Sequence, residues 1–251
     1  MLQATLNGDS VTGVAGWTDP EEPVLASATA LAAELADPIR LTALQLLAAE
    51  GPHTMSRLVA ALEVSAPRLG NHLARLRAAG LVEVEHAGRH AIYRIARPGL
   101  ADVLAALSRY AGDALPTARP GREVTADDIA HTCYDHAAGR LGVALLGHLV
   151  ERGALTAPDG RDEELALGPD PAALAALGID PAALDTGRRK PATACLDRIH
   201  RLPHLGGALG ARVLDRLVEQ GLLAREEGTR VLVVTAAGRR DLPRMVPTFS
   251  V

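Results

Sequence analysis

Apolar positions recur at helical spacing over most of this chain and switch to alternation in a few short runs. The order of the two patterns between residues 56 and 95 is the most telling. Ser56-Arg57-Leu58-Val59-Ala60-Ala61-Leu62 carries apolar residues at helical intervals. Glu63-Val64 then leads to Ser65, a residue suited to capping a new helix, and Pro67 fits a first turn, where no amide hydrogen is required. Leu69, Leu73 and Leu76 follow at i, i+4 and i+7, which buries one stripe and leaves Arg68, Asn71, Arg75 and Arg77 off it. Gly80 is placed to end this helix. Leu81 to His86 alternates towards a turn at Gly88, and Ala91 to Ile95 returns, as two paired strands would. Helix, turn, helix and hairpin in this order predict a winged helix-turn-helix.

On either side the pattern is helical. Leu25 to Leu35 and Ile39 to Ala49 precede the motif, the second opened by Asp37-Pro38 and closed at Gly51-Pro52, and Leu100 to Leu115 follows it. Residues 1–23 lack periodicity and are expected to be a mobile arm, residues 24–115 a DNA-binding and dimerisation domain, and 116–123 a linker. Residues 124–251 contain an internal repeat. The run from Gly142 to Leu155 matches Gly210 to Leu223, His136 falls on His204, Gly139 on Gly207, and Cys133-Tyr134-Asp135 on Cys195-Leu196-Asp197 after a short insertion. A strand-like run and a helix follow each copy, Leu165 to Leu167 with Pro171 to Leu177, and Val231 to Val234 with Ala236 to Leu242. The fold class expected is therefore mainly α with small β wings, the second domain being helical and built from two repeats that pack as a pseudo-twofold pair. Each repeat also echoes a winged helix stripped of its DNA-reading surface.

Charge sharpens the functional reading. The 251 residues carry a formal net charge of −4, so the chain as a whole does not advertise a nucleic-acid partner. Locally the sign reverses: Arg57, Arg68, Arg75, Arg77, Arg89, Arg94 and Arg97 stand against Glu63, Glu83 and Glu85 between residues 56 and 97, an excess suited to phosphate contact. Aromatic residues are 2% of the chain, which argues against a base-stacking single-strand binder. No apolar run reaches the length needed to span a bilayer, no signal peptide opens the chain, and two cysteines make no disulfide framework, so a cytoplasmic location is expected.

The run Ala36-Asp37-Pro38-Ile39-Arg40-Leu41, with Leu58 to Leu62, Ser65 to Leu76, Ala79-Gly80-Leu81-Val82 and the wing, resembles the ArsR/SmtB family of winged-helix regulators over roughly residues 25–111. The resemblance implies a homodimeric transcription factor on double-stranded DNA, most often a repressor released by a metal or another inducer. It assigns base reading to the start of the second helix of the motif, here Ser65, Ala66, Pro67, Arg68, Gly70, Asn71 and His72, with Arg75 beside them and Arg89 holding phosphate at the wing. Pro67 and Gly70 replace the usual small hydroxyl residues, which moves direct base contact to Arg68, Asn71 and His72. Where metal-sensing members carry Cys-x-Cys, this chain has Thr54-Met55-Ser56, and the helix after the wing offers Asp102 and Asp113 but no His. No metal is thus expected to be required by the N-terminal domain.

The chemistry-bearing residues of the second domain are Cys133, Asp135 and His136 in one copy and Cys195, Asp197 and His204 in the other, with His131 and His200 nearby. Read on helices, Cys133 and His136 stand at i, i+3 and His200 and His204 at i, i+4, each pair on one face. Pseudo-twofold packing would bring both copies to one pocket, so Cys133, Asp135, His136, Cys195, Asp197 and His204 are the expected effector site, for a small-molecule inducer first. A metal or thiol-redox response at the same residues is the alternative, and a structural role for small buried cysteines competes with both. The cofactor is left open. Enzyme activity is a third reading; no Gly-x-Ser-x-Gly or His-Glu-x-x-His stands in the chain, so no catalytic residue is named. His53, His86 and His90 are expected in exposed loops or the wing.

Overall fold

Helix-forming runs dominate the first half. The computed structural model describes residues 23–87, 90–114 and 124–251; the expected linker 116–123 and nearly all of the expected arm lie outside them. Helix α1 spans Pro23–Leu35 and α2 Pro38–Glu50, the latter capped by Asp37, whose carboxylate accepts from the Arg40 amide at 2.9 Å. Arg40 turns back to the end of α1, donating to the carbonyls of Glu34 and Ala33. Strand β1 (His53–Thr54) leads into α3 (Met55–Leu62), and α4 (Ala66–Ala78) follows. Strands β2 (Val82–Ala87) and β3 (His90–Ile95) pair antiparallel and form the wing; β1 adds to the free edge of β3, a third strand too short for its pattern to reveal. Helix α5 (Gly99–Ala114) closes this unit.

Leu69, Leu73 and Leu76 are the buried residues of α4, and they meet Leu44, Leu47, Leu58, Ile95 and Leu104 in one apolar core. Burying such aliphatic side chains is worth roughly 1.5–3 kcal/mol each, which explains why three short helices and a small sheet hold together. Ser65 sits at the expected N-cap of α4, but its side chain makes no capping hydrogen bond. His53 is a correction: it is 3% exposed on β1, its ring bonded to the Gly51 carbonyl and the Glu50 carboxylate.

The second half has its own core, and the Cys/His segments that spacing placed on helices stand on hairpins instead. After α6 (Ala126–Ile129), strands β4 (His131–Cys133) and β5 (His136–Ala138) form a hairpin that runs directly into α7 (Gly139–Glu151). Then come α8 (Ala172–Ala176) and a 3-10 turn at Pro181–Ala183. The design repeats: β6 (Thr193–Leu196) and β7 (Pro203–Gly206) form a hairpin that runs into α9 (Gly207–Glu219), followed by β8 (Leu223–Arg225), β9 (Leu232–Val234) and α10 (Ala236–Met245). Gly139 and Gly207 open the two helices at φ of +74° and +77°, a backbone turn that favours glycine.

The repeats interlock. A methyl group on Gly142 of α7 would lie 2.2 Å from the Ala137 carbonyl oxygen and 3.3 Å from the His204 Cβ; one on Gly210 of α9 would lie 2.5 Å from the Leu205 oxygen and 3.2 Å from the His136 Cβ. Each helix therefore uses a glycine to admit the other repeat's histidine. Leu141, Leu145 and Leu149 of α7 and Leu209, Val213 and Leu217 of α9 belong to one core between them. This unit rests against the first: Ile95 donates to the Gly160 carbonyl, Arg161 to that of Ala96, and Leu196 packs on the winged-helix core.

Candidate nucleic-acid interface and effector site

The stripe that buries α4 decides which of its side chains face outward. Ser65, Ala66, Arg68 and Asn71 are exposed at its N-terminal end, and neither Arg68 nor Asn71 has a hydrogen-bond or ion-pair partner among the described residues. His72 and Arg75 are engaged. The His72 Nδ1 lies 3.4 Å from the Asp37 carboxylate with its side chain 18% exposed, and the Arg75 Nε donates to both Glu34 oxygens at 3.0 and 2.9 Å. Both partners come from outside the motif, on α1 and the turn before α2. The wing carries a further pair, Arg94 with Glu83 at 2.7 Å, whose mutual attraction holds the Glu83 pKa below the usual carboxylate value. Arg89 lies outside the described residues.

In the second unit the hairpins, not helices, position the chemistry. Cys133 is the register partner of His136, and Cys195 of His204, so each pair projects from adjoining strands to one side of its hairpin. The i, i+3 spacing of Cys133 and His136 is thus bridged by a two-residue turn, and with His204 on β7 and His200 in the turn before it, the helical reading of Cys133/His136 and of His200/His204 is corrected. The interlocked helices then bring the two hairpins together. Cys133 Sγ is 3.9 Å from Cys195 Sγ, His136 Nε2 is 3.2 Å from His204 Nε2, and one ligand atom from each of the four residues lies within 4.8 Å of all the others. His136 and His204 are 5% and 1% exposed, while both thiols are half-buried. His136 also borders a surface depression with Tyr134, Asp135 and Arg189.

The remaining expected residues stand one layer back. Asp135 is gripped by Arg189 at 2.6 Å and lies 3.5 Å from the His136 Nδ1. Asp197 is fully buried, accepts from the amides of Gly139, Ile199 and His200, and lies 4.0 Å from the His204 Nδ1. Burial opposes its charge, but those amides outweigh it and hold its pKa below the usual value. His131 and His200 point elsewhere, to the Asp127 and Asp128 carbonyls.

Between the two thiols the proton is shared unequally. The Cys195 thiol, followed by His136 and His204, stabilises a thiolate on Cys133 and lowers its pKa; Cys133, burial and the Glu50 carboxylate together raise that of Cys195. Glu50 is the residue that sequence reasoning missed. It ends α2 in the winged-helix unit, its Oε1 accepting from the Leu196 amide at 3.0 Å and lying 3.5 Å from the Cys195 sulfur, its Oε2 3.2 Å from the His53 Nε2. Burial works against its charge, yet the His53 and Leu196 hydrogen bonds keep its pKa below the usual value. No local pattern marks a glutamate at a helix end as a contact between two units.

A family model described as bacterial regulatory protein, arsR family, matches residues 37–84. The chain is 33% identical over 206 residues to YdfF of Bacillus subtilis, described as an uncharacterized HTH-type transcriptional regulator, across 82% of this chain and 90% of that protein. A similarity of that length reaches well into the second unit. The HTH-type transcriptional repressor SmtB of Mycobacterium tuberculosis is 36% identical over 94 residues, which span 38% of this chain and 69% of that protein. Among solved structures, HlyU from Vibrio cholerae is 28% identical with a TM-score of 0.34, covering 35% of this chain and 95% of that one. With the family model on the helix-turn-helix and a relative matched over most of both chains, this chain belongs to the arsR family of bacterial regulatory proteins and is a DNA-binding transcriptional regulator.

Proposed function

We propose that this regulator is a dimeric, cytoplasmic repressor that reads a specific double-stranded operator with the N-terminal half of α4 and lets go when an effector binds between the two repeats. The observation that carries the DNA half is the exposed end of α4: Arg68 and Asn71 stand with Ser65 and Ala66 on one outward surface, without partners among the described residues. Arginine pairs naturally with guanine and asparagine with adenine in the major groove. His72 and Arg75 enter the groove only after leaving Asp37 and Glu34, so they tune affinity rather than set specificity. Dimerisation is supported by apolar side chains left at the surface of the flanking helices, Val24 on α1 and Val103, Leu107 and Tyr110 on α5, the last 64% exposed. Two such motifs facing one side of the duplex read half-sites about one helical turn, roughly 10 bp, apart. The second unit senses in this reading and does not catalyse.

The test is operator selection from random duplex DNA, followed by titration with Arg68→Ala/Asn71→Ala. Its affinity for the selected site should fall by about 1–3 kcal/mol for each bidentate side chain–base pair removed, with dimer mass by light scattering unchanged. Equal affinity of variant and parent for the selected site would overturn the assignment. Arg89→Ala should instead weaken all sequences alike and reduce the slope of log affinity against log salt by about 1.

A further inference from the structure

One thiol and one imidazole from each repeat converge on a single point, and the edges of that cluster have a definite shape. A tetrahedral zinc ion with sulfur at about 2.3 Å and nitrogen at about 2.0–2.1 Å requires S···S near 3.8 Å and N···N near 3.3 Å. The observed separations are 3.9 and 3.2 Å. Nothing in the packing of a core demands those values. Two buried imidazoles facing each other nitrogen to nitrogen are a poor core pair: one Nε2 can donate to the other, yet neither Nδ1 finds a hydrogen bond. With an ion between them both Nε2 lone pairs point at the metal and both protons sit on Nδ1. Asp135 and Asp197 then face those protons from 3.5 and 4.0 Å, the carboxylate–histidine arrangement that fixes the tautomer of a metal-bound imidazole.

We propose that Cys133, His136, Cys195 and His204 bind one thiophilic divalent cation of the zinc class in tetrahedral geometry, and that Glu50 carries its presence to the helix-turn-helix. The site takes nothing from the helix start before α4 or from α5. Sulfur with imidazole selects such an ion over magnesium or calcium. Two metal–sulfur bonds form on binding, and the proton held on Cys195 is released to solvent. The second half of the proposal rests on the regulatory reading above; the first half does not. As a metal-bound thiolate, Cys195 no longer has a proton to offer Glu50, so two acceptors are left 3.5 Å apart and the contact opens. Glu50 also holds His53 on β1, which pairs with wing strand β3 and leads into Thr54, the cap of α3. The ion thus acts on both the wing and the first helix of the motif.

The experiment uses the full chain, reduced and freed of metal by chelator, titrated with Zn2+ against a competing chromophoric chelator and separately with Co2+. One ion per chain is expected, and the cobalt form should show sulfur-to-metal charge transfer with the intense visible bands of a tetrahedral site. Cys133→Ser and His204→Gln should each weaken zinc binding at least 100-fold. Should either fail to fold, alkylation of the parent protein gives an independent reading, because zinc should shield both thiols. Absence of stoichiometric binding, a pale six-coordinate cobalt spectrum, or a Cys133–Cys195 disulfide forming at the same rate with and without zinc would overturn the site. For the coupling, zinc should lower operator affinity at least fivefold in the parent. Glu50→Gln should bind zinc normally and lose that response, since a neutral side chain that still accepts from the Leu196 amide is not driven from the thiolate by like charge. Zinc bound without any change in operator affinity would overturn the coupling and leave the metal site standing; operator binding without zinc binding would overturn both site and coupling and leave the regulatory reading standing.

Discussion

The two units of this chain treat polar side chains in opposite ways. In the winged-helix unit α4 buries only leucines and pushes arginine and asparagine outward, where a partner can be met without loss of core. In the repeat unit two histidines, two half-buried thiols and a fully buried aspartate stand between the helices that form the core. Burying such groups costs free energy unless something satisfies them, so they are kept where a ligand or a specific network offsets that cost. An outward surface suits a large, charged partner such as a duplex. An inward cluster suits a partner small enough to enter.

The sharpest way to break this contrast is a single methyl group. Gly142→Ala drives a carbon against the Ala137 carbonyl and towards His204, and should destabilise the repeat unit by about 3 kcal/mol in a denaturant titration. Unchanged stability would mean that the helices do not interlock as described. Next in size, His53→Ala removes a buried ring that bridges Gly51 and Glu50 and should cost about 1–3 kcal/mol, read as a lower midpoint for the winged-helix unit. A loss confined to the repeat unit would place the bridge on the wrong side of the contact. Smallest, and opposite in sign, is Gly70→Ala in α4. Nothing lies within 4 Å of the added methyl, so it should stabilise the winged-helix unit by about 0.5–1 kcal/mol through helix propensity. A destabilising result there would show that glycine in α4 meets a steric demand like that of its counterparts in α7 and α9.

How much of this was legible depended on the range of the interactions concerned. The stripe Leu69, Leu73, Leu76, the proline at the start of α4 and the alternation of the wing are local, and they predict the observed elements closely. The repeat register was also visible, because Cys133 and Cys195, like His136 and His204, occupy equivalent places in successive copies. Their secondary structure was not. Residues three apart share a face on a helix, but they also flank a two-residue hairpin turn, and spacing alone cannot separate the two geometries. The turn at Tyr134-Asp135, with φ of +56° at Tyr134, separates them here. His72 and Arg75 looked free for DNA because their partners, Asp37 and Glu34, belong to segments far along the chain that only folding brings near. Glu50 was illegible for the same reason: its partner Cys195 is 145 positions away.

The crossed placement of Gly142 under His204 and Gly210 under His136 limits how such a chain could have arisen and how it can be shortened. Half of the unit offers one sulfur and one nitrogen, plus a notch shaped for a histidine it does not own. A solitary repeat could complete itself only by pairing with an identical copy across a twofold axis, each filling the other's notch. Joining two copies in one polypeptide turns that symmetric assembly into an internal one and frees each half to diverge. Here one hairpin has a longer turn and meets Glu50 through Cys195 and Leu196 of its first strand, while the other has a two-residue turn. Asymmetry of that kind lets a site built by duplication address one side of the molecule alone.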